Sequence, residues 1–282
     1  MKLPVQNGST FAILTDTTRC TGCEACVHAC KQTYSLKPDR AWRWKERVDD
    51  LSATRFTTII RRPGGKNVRQ QCRHCLDPAC ASACLVGALH KTELGPVVYD
   101  EDRCMGCRYC MMACPYGIPR YEWESAVPLV RKCILCYDRI RNGQRPACTS
   151  ACAYNATVFG TREEMLAEAR RRFEAEPGRY APAGSPRIWG EHEVGGTSVL
   201  MISDMSLDFL GWQPNLGTEP IPALTWNALS KVPPLALGVA GLMTGVYWIV
   251  GRRIRLAAEA AERAARVADA SAPVRAAQDD EP

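Results

Sequence analysis

The longest uninterrupted apolar stretch runs from Pro233 to Gly251, nineteen residues without a charge. A helix needs about 20 such residues to cross the hydrocarbon core of a bilayer, so a single transmembrane helix is expected over residues 231–255. Lys231 flanks one end. Arg252, Arg253 and Arg255 flank the other, with Tyr247 and Trp248 placed where interfacial aromatics belong. The positive-inside rule puts the arginines in the cytoplasm and the preceding residues on the outer side of the membrane. Gly241 and Gly245 lie one helical turn apart and offer a small face to another membrane helix; incidental glycines are the plainer alternative. Residues 256–282 form an Ala-rich charged tail, expected to be helical at first and disordered from Ser271.

Elsewhere the pattern is shorter in range. Thr161-Arg162-Glu163-Glu164 has the form of a capping box, predicting a helix that runs to about Glu176, before Pro177-Gly178. The run Arg170-Arg171-Arg172 reads as a solvated helix face, with a docking patch as the alternative. Arg55-Phe56-Thr57-Thr58-Ile59-Ile60, followed by Pro63-Gly64-Gly65, predicts a β-hairpin. Gly95 to Asp100 reads as a turn feeding a short strand. Residues 161–230 are expected to hold the capped helix and then, from 177, a Pro- and Gly-rich extended segment lying on another subunit, with one strand-like run at Thr197–Ile202.

Composition changes this picture through one residue type. The apolar fraction of 46% is inflated by sixteen cysteines, while Phe occurs only five times. The cysteines fall in four groups: Cys20, Cys23, Cys26, Cys30; Cys72, Cys75, Cys80, Cys84; Cys104, Cys107, Cys110, Cys114; and Cys133, Cys136, Cys148, Cys152. Two groups read C-x2-C-x2-C-x3-C, the spacing that wraps a loop around three corners of a 4Fe–4S cube and sends the fourth thiolate to a neighbouring cube. The other two have longer loops before the third cysteine but keep the C-x3-C ending. Only Cys114 is followed by the proline of the ferredoxin pattern; Lys31, Leu85 and Ala153 stand at the equivalent positions. Zinc would more naturally show separated C-x2-C pairs, and disulfides would not need the repeated spacing. Four cubanes match the count.

Residues 10–160 hold every cysteine. Groups two and three are close in sequence, and groups one and four would pair around them. The expected fold is therefore α+β: two nested bacterial-ferredoxin-like units, the inner one at about 70–130, with the β-hairpin as an insertion. The formal charge is +6. Each oxidised cubane with its thiolates carries about −2, so four of them bring the protein near neutrality or slightly below. The excess of Lys and Arg balances clusters and implies no nucleic acid. No general acid, nucleophile or cofactor loop stands out, and no catalytic residue is assigned. His74, inside Cys72-x2-Cys75, is expected to hydrogen-bond or pack near its cluster; His28, His90 and His192 form no constellation.

The four groups in this order, then the capped helix, Gly195-Gly196-Thr197 and the membrane helix, resemble the four-cluster electron-transfer subunits of respiratory oxidoreductases. The stretches Cys104-Met105-Gly106-Cys107-Arg108-Tyr109-Cys110-Met111-Met112-Ala113-Cys114-Pro115-Tyr116 and Val158-Phe159-Gly160-Thr161-Arg162-Glu163-Glu164-Met165 are most similar to the ferredoxin-like subunit of hydrogenase-2-type nickel–iron hydrogenases. The β subunit of formate dehydrogenase-N is a near relative. The resemblance implies four clusters with crossed ligation. One takes Cys20, Cys23, Cys26 and Cys152, and its neighbour takes Cys133, Cys136, Cys148 and Cys30. The inner pair takes Cys72, Cys75, Cys80 with Cys114, and Cys104, Cys107, Cys110 with Cys84. Some relatives replace one ligand with Trp and carry a 3Fe–4S cluster, but all sixteen cysteines are present here.

The resemblance further implies partners: the small and large subunits of a hydrogenase as electron source, a polytopic quinone-reactive membrane subunit as acceptor, and membrane lipid around the anchor. A molybdopterin or tungstopterin oxidoreductase is the alternative donor, and a membrane-tethered zinc scaffold the alternative of another class. Hydrogenase-2-type relatives usually carry a twin-arginine signal. Met1-Lys2-Leu3-Pro4 shows neither that pair nor an apolar core, so export with a signal-bearing partner is expected, placing the clusters in the periplasm and the tail in the cytoplasm, with a complex facing wholly into the cytoplasm as the alternative.

Overall fold

Every residue of β1 (Phe11–Asp16) is buried, because the strand lies at the centre of a three-stranded sheet with both faces covered. The computed structural model describes residues 10–38, 51–180, 186–210 and 216–270. The N-terminal Met1–Pro4, the tail from Ser271 and part of the insertion between Cys30 and Cys72 lie outside the described residues. In sequence order, β1 leads through Cys20 into α1 (Ala25–Thr33), then β2 (Thr57–Arg62), β3 (Lys66–Gln71) and α2 (Ala79–Ser82). Next come β4 (Leu89–Lys91), β5 (Val97–Tyr99), α3 (Tyr109–Ala113), β6 (Arg120–Tyr121) and β7 (Val130–Arg131). The helices α4 (Tyr137–Arg141) and α5 (Ala147–Ser150) precede β8 (Thr157–Thr161), α6 (Arg162–Ala175), α7 (Pro177–Tyr180) and β9 (Val199–Ile202). The last helices are α8 (Ile221–Leu229) and α9 (Val232–Ala270).

In the sheet, β1 pairs antiparallel with β8 and parallel with β9, with Ile13 opposite both Phe159 and Val199. Period-2 alternation sorts the β1 side chains into two cores. Ala12 and Leu14 join Leu200, Ile202, Met165, Ala169 and Tyr180 beneath α6. Phe11 and Ile13 join Leu135, Ile140, Val199 and Cys148 on the cysteine side. The strand before Cys20 is thus hydrogen-bonded to the strand after Cys152, so the first and fourth groups meet. The helices agree with this: α1 packs against α5, and α2 against α3. Antiparallel pairs β2–β3, β4–β5 and β6–β7 fill the sequence between them.

α6 starts at a complete capping box. Thr161 Oγ1 accepts from the Glu164 amide at 3.2 Å, and Glu164 Oε2 accepts from the Thr161 amide at 2.8 Å. The arginine run on this helix is only partly a solvated face. Arg170 pairs with Glu191 and Arg171 with Glu168, both at the surface, while Arg172 is buried and pairs with Asp16. The segment from 177 holds β9 within the expected strand-like run, and the helices α7 and α8 besides. Pro222 lies in the first turn of α8, where a missing N–H leaves no intrahelical bond unmade.

The protein divides into two units, one ending at Leu224 and the other beginning at Thr225. Among the described residues, the helical stretch Ile221–Ala268 is long and apolar enough to cross a membrane. Its apolar side chains, such as Leu235, Leu237 and Leu242, are exposed. α9 continues past Arg255 as one helix to Ala270.

Candidate metal centres

The four C-x2-C turns share one backbone device. The residue before the second cysteine is left-handed in each: Gly22 (φ 73°), His74 (φ 49°), Gly106 (φ 73°) and Leu135 (φ 57°). This curl turns its amide back onto the preceding thiol. Gly106 N–H donates to Cys104 Sγ at 3.4 Å and Leu135 N–H to Cys133 Sγ at 3.3 Å; Gly22 does the same for Cys20. A left-handed L-residue costs about 1–2 kcal/mol. His74 and Leu135 bear that strain while buried in the interior.

These turns, with the short helices that follow them, bring cysteines of different groups together. One cavity is lined jointly by Cys30, Cys133, Cys136 and Cys148. Cys20 and Cys26 both lie within electrostatic reach of Cys152. Cys72 packs in one apolar cluster with Cys75 and Cys114, and Cys80 senses Cys72 and Cys114. Cys110 has the thiols of Cys84, Cys104 and Cys107 as its neighbours. Contacts also run from set to set: Cys26 beside Cys148, Cys133 beside Cys72, and Cys80 beside Cys110.

Burial first, and then the neighbouring thiols, push these groups away from ionisation. Cys30 rises to about 12, Cys80 to about 12 and Cys110 to about 11, while Cys75 and Cys133 are raised well above the usual thiol range. Thiolates packed this way become stable only around a multivalent cation, whose binding expels their protons. Among the described residues, no three Cys, His, Asp or Glu side chains gather about the position of a single ion. With Zn–S bonds of about 2.3 Å, a tetrahedral zinc site draws its sulfurs far closer than a cube does. The donor set fits cubanes.

Two buried cations, Arg69 and Lys132, and the half-buried Lys91 complete the fit. Arg69, near the two outer sets, donates to Thr57 Oγ1 at 3.1 Å and to Gln71 Oε1. Burial works against its charge, but Cys148, Cys26 and Cys133 outweigh burial and hold the guanidinium above its ordinary value. Lys91 Nζ donates to the Cys75 carbonyl at 2.7 Å, and burial pushes its ammonium down to about 8. Lys132 Nζ donates to the carbonyls of Val97 at 2.5 Å and Cys133 at 3.0 Å. The bonds of Lys91 and Lys132 go to backbone carbonyls, and Arg69 reaches the Cys148 thiol besides Thr57 and Gln71, so a thiolate-bound cluster would supply the anionic partner for their charge. His74 accepts from the Val97 amide through Nδ1 at 2.9 Å, and burial holds the ring well below its usual value, hence neutral with its proton on Nε2.

None of Tyr34, Arg69, Lys91 and Lys132 stands out in the sequence. Lys132 adjoins Cys133 and Arg69 lies three before Cys72, yet Lys and Arg default to the surface. Short sequence distance to a cysteine is the only signal for Tyr34, Arg69 and Lys132, and Lys91 has none.

Comparison with known proteins decides the family. The model of the 4Fe–4S dicluster domain matches residues 66–162. A protein of Nitratidesulfovibrio vulgaris is 38% identical over 286 residues, covering 96% of this chain and 74% of the relative. The hydrogenase-2 operon protein HybA of Escherichia coli O157:H7 is 33% identical over 235 residues, 71% of this chain and 72% of HybA. This protein belongs to the iron–sulfur electron-transfer subunits of respiratory oxidoreductases. A shorter match, 38% over 164 residues, links it to the B subunit of anaerobic dimethyl sulfoxide reductase of E. coli K12, covering 55% of this chain and 75% of that one. As a family member it carries 4Fe–4S clusters and serves a membrane-associated oxidoreductase.

Proposed function

We propose that this subunit is a four-cluster conduit between a hydrogenase and a quinone-reactive membrane subunit, with no substrate of its own. What supports this is that thiols of the first and fourth groups meet, as do thiols of the second and third, with further approaches between the two pairs of groups. Cys20, Cys23, Cys26 and Cys152 hold the first cluster, and Cys30, Cys133, Cys136 and Cys148 the second. Cys72, Cys75, Cys80 and Cys114 hold the third, and Cys84, Cys104, Cys107 and Cys110 the fourth. When bound, these cubanes supply one-electron carriers. The protein's own contribution is to hold each cube through left-handed turns, donate amides to sulfurs and place buried cations beside them. The β1–β8 pairing and the α1–α5 and α2–α3 packing support an inner ferredoxin-like unit held between the halves of an outer one.

α9 anchors the subunit in the inner membrane, with the arginines cytoplasmic and the clusters periplasmic. A Cβ added at Gly241 or Gly245 would meet nothing within 4 Å, leaving this small-residue face open to a helix of the membrane subunit. Likeness to the dimethyl sulfoxide reductase B subunit favours a second reading, in which the donor is a molybdenum oxidoreductase. Anaerobic purification of the tagged full-length protein with its partners separates the two. Nickel, a large subunit and cluster bleaching under hydrogen are expected; molybdenum without nickel would select the second reading. Zinc-loaded, colourless protein would end both.

A further inference from the structure

The cavity lined by Cys30, Cys133, Cys136 and Cys148 also receives Tyr34, Arg69 and Gln71. Arg69 and Gln71 are buried on β3, and each keeps one donor without a partner: Arg69 Nη1 and Gln71 Nε2. Their orientation is fixed. Arg69 has only donors, so its Nη2 must meet the oxygen of the Gln71 amide, which turns Gln71 Nε2 away from it. The Nε of Arg69 is anchored on Thr57 at 3.1 Å. A buried N–H group left without an acceptor is destabilising, so both donors call for one. The Tyr34 hydroxyl already bonds the Cys136 thiol.

We propose that Arg69 and Gln71 donate hydrogen bonds to the sulfurs of the cluster at this cavity and raise its reduction potential. Reduction adds one negative charge to the cube, and donors or a fixed cation at its sulfurs stabilise that charge. Arg69 cannot lose its proton, so its share is the same at every ordinary pH. The proposal rests on the assignment of these four cysteines as one ligand set, which iron and spin counts on the unaltered protein check separately.

The test is an anaerobic redox titration of the full-length protein in its complex, followed by EPR, for the unaltered protein and Gln71→Leu. The expected result is one midpoint of four moving down by about tenfold in the reduction equilibrium, about 59 mV for one electron, with the other three unmoved. A purely structural role for Gln71 would leave all four midpoints in place, and that result would overturn the proposal. Should Gln71→Leu fail to assemble its cluster, the unaltered protein decides. Growth with side-chain 15N-labelled arginine and glutamine, then pulsed EPR of the reduced state, should show nitrogen coupling to a cluster. With four cubanes present and no such coupling, the proposal falls while the ligand assignment stands.

Discussion

Arg172 Nη1 donates to Asp16 Oδ2 at 3.0 Å, with both side chains buried. The Tyr180 hydroxyl donates to the same oxygen at 2.8 Å. Asp16 ends the central strand four residues before Cys20, so this cluster of bonds ties α6 and α7 to the entry of the first cysteine turn. Without Asp16 the Arg172 guanidinium keeps Glu168 at 2.8 Å, so its charge is not left alone, but two buried donors lose their acceptor. Asp16→Ala should therefore lower stability by about 1–3 kcal/mol in guanidinium unfolding. Asp16→Asn, which retains an acceptor, should cost less. A loss within error of zero for Asp16→Ala would show that the pair carries little.

Lys132 stands beside Cys133 and lowers the proton affinity of Cys80, so its charge reaches the set of Cys72, Cys75, Cys80 and Cys114. At an effective dielectric near 20, a unit charge at close range is worth about 1–4 kcal/mol. Lys132→Met should shift the midpoint of that set's cluster downward by tens of millivolts, about 1 kcal/mol or more. EPR-monitored titration measures it directly.

The crossed ligation proposed above makes a distinctive forecast for single cysteine changes. Cys30→Ser should damage the cluster shared with Cys133, Cys136 and Cys148, and spare the one that Cys30's own sequence neighbours hold. Loss of the signal belonging to Cys20, Cys23, Cys26 and Cys152 instead would mean that each group closes on its own cube. The reciprocal variant Cys152→Ser should reverse the pattern.

Gly106 is left-handed, and an added Cβ would approach the Pro128 carbonyl at 3.3 Å and the Tyr121 hydroxyl at 3.4 Å. Gly106→Ala should cost about 1–2 kcal/mol locally. The expected readout is faster iron loss to a chelator from one cluster, with the other three retained at the rate of the unaltered protein.

Much of the chemistry was legible in the sequence, since it is local. Three-residue spacing between thiols, the charge-free run from Pro233 to Gly251 and the Thr161–Glu164 cap each act within a few turns of backbone. What stayed concealed is non-local. Phe11–Asp16 is a short apolar run whose partners lie beyond the fourth cysteine group, so its central place in the sheet rests on contacts across the whole domain. Arg172 looks like its neighbours Arg170 and Arg171 until Asp16 is placed beneath it. Leu135 gives no hint of a left-handed conformation, because its side chain is held by burial rather than chosen for the turn. Arg69 and Gln71 look like ordinary polar strand residues until the cavity beside them is seen to be lined by thiols.

Four 4Fe–4S clusters are the redox content we propose for this protein. Mössbauer spectroscopy of anaerobically purified, 57Fe-enriched protein tests it most directly. About sixteen irons per polypeptide are expected, all in sulfur-ligated cubane signals that gain one electron per cluster on full reduction. Iron near eight per polypeptide, or zinc in place of iron at any set, would contradict it.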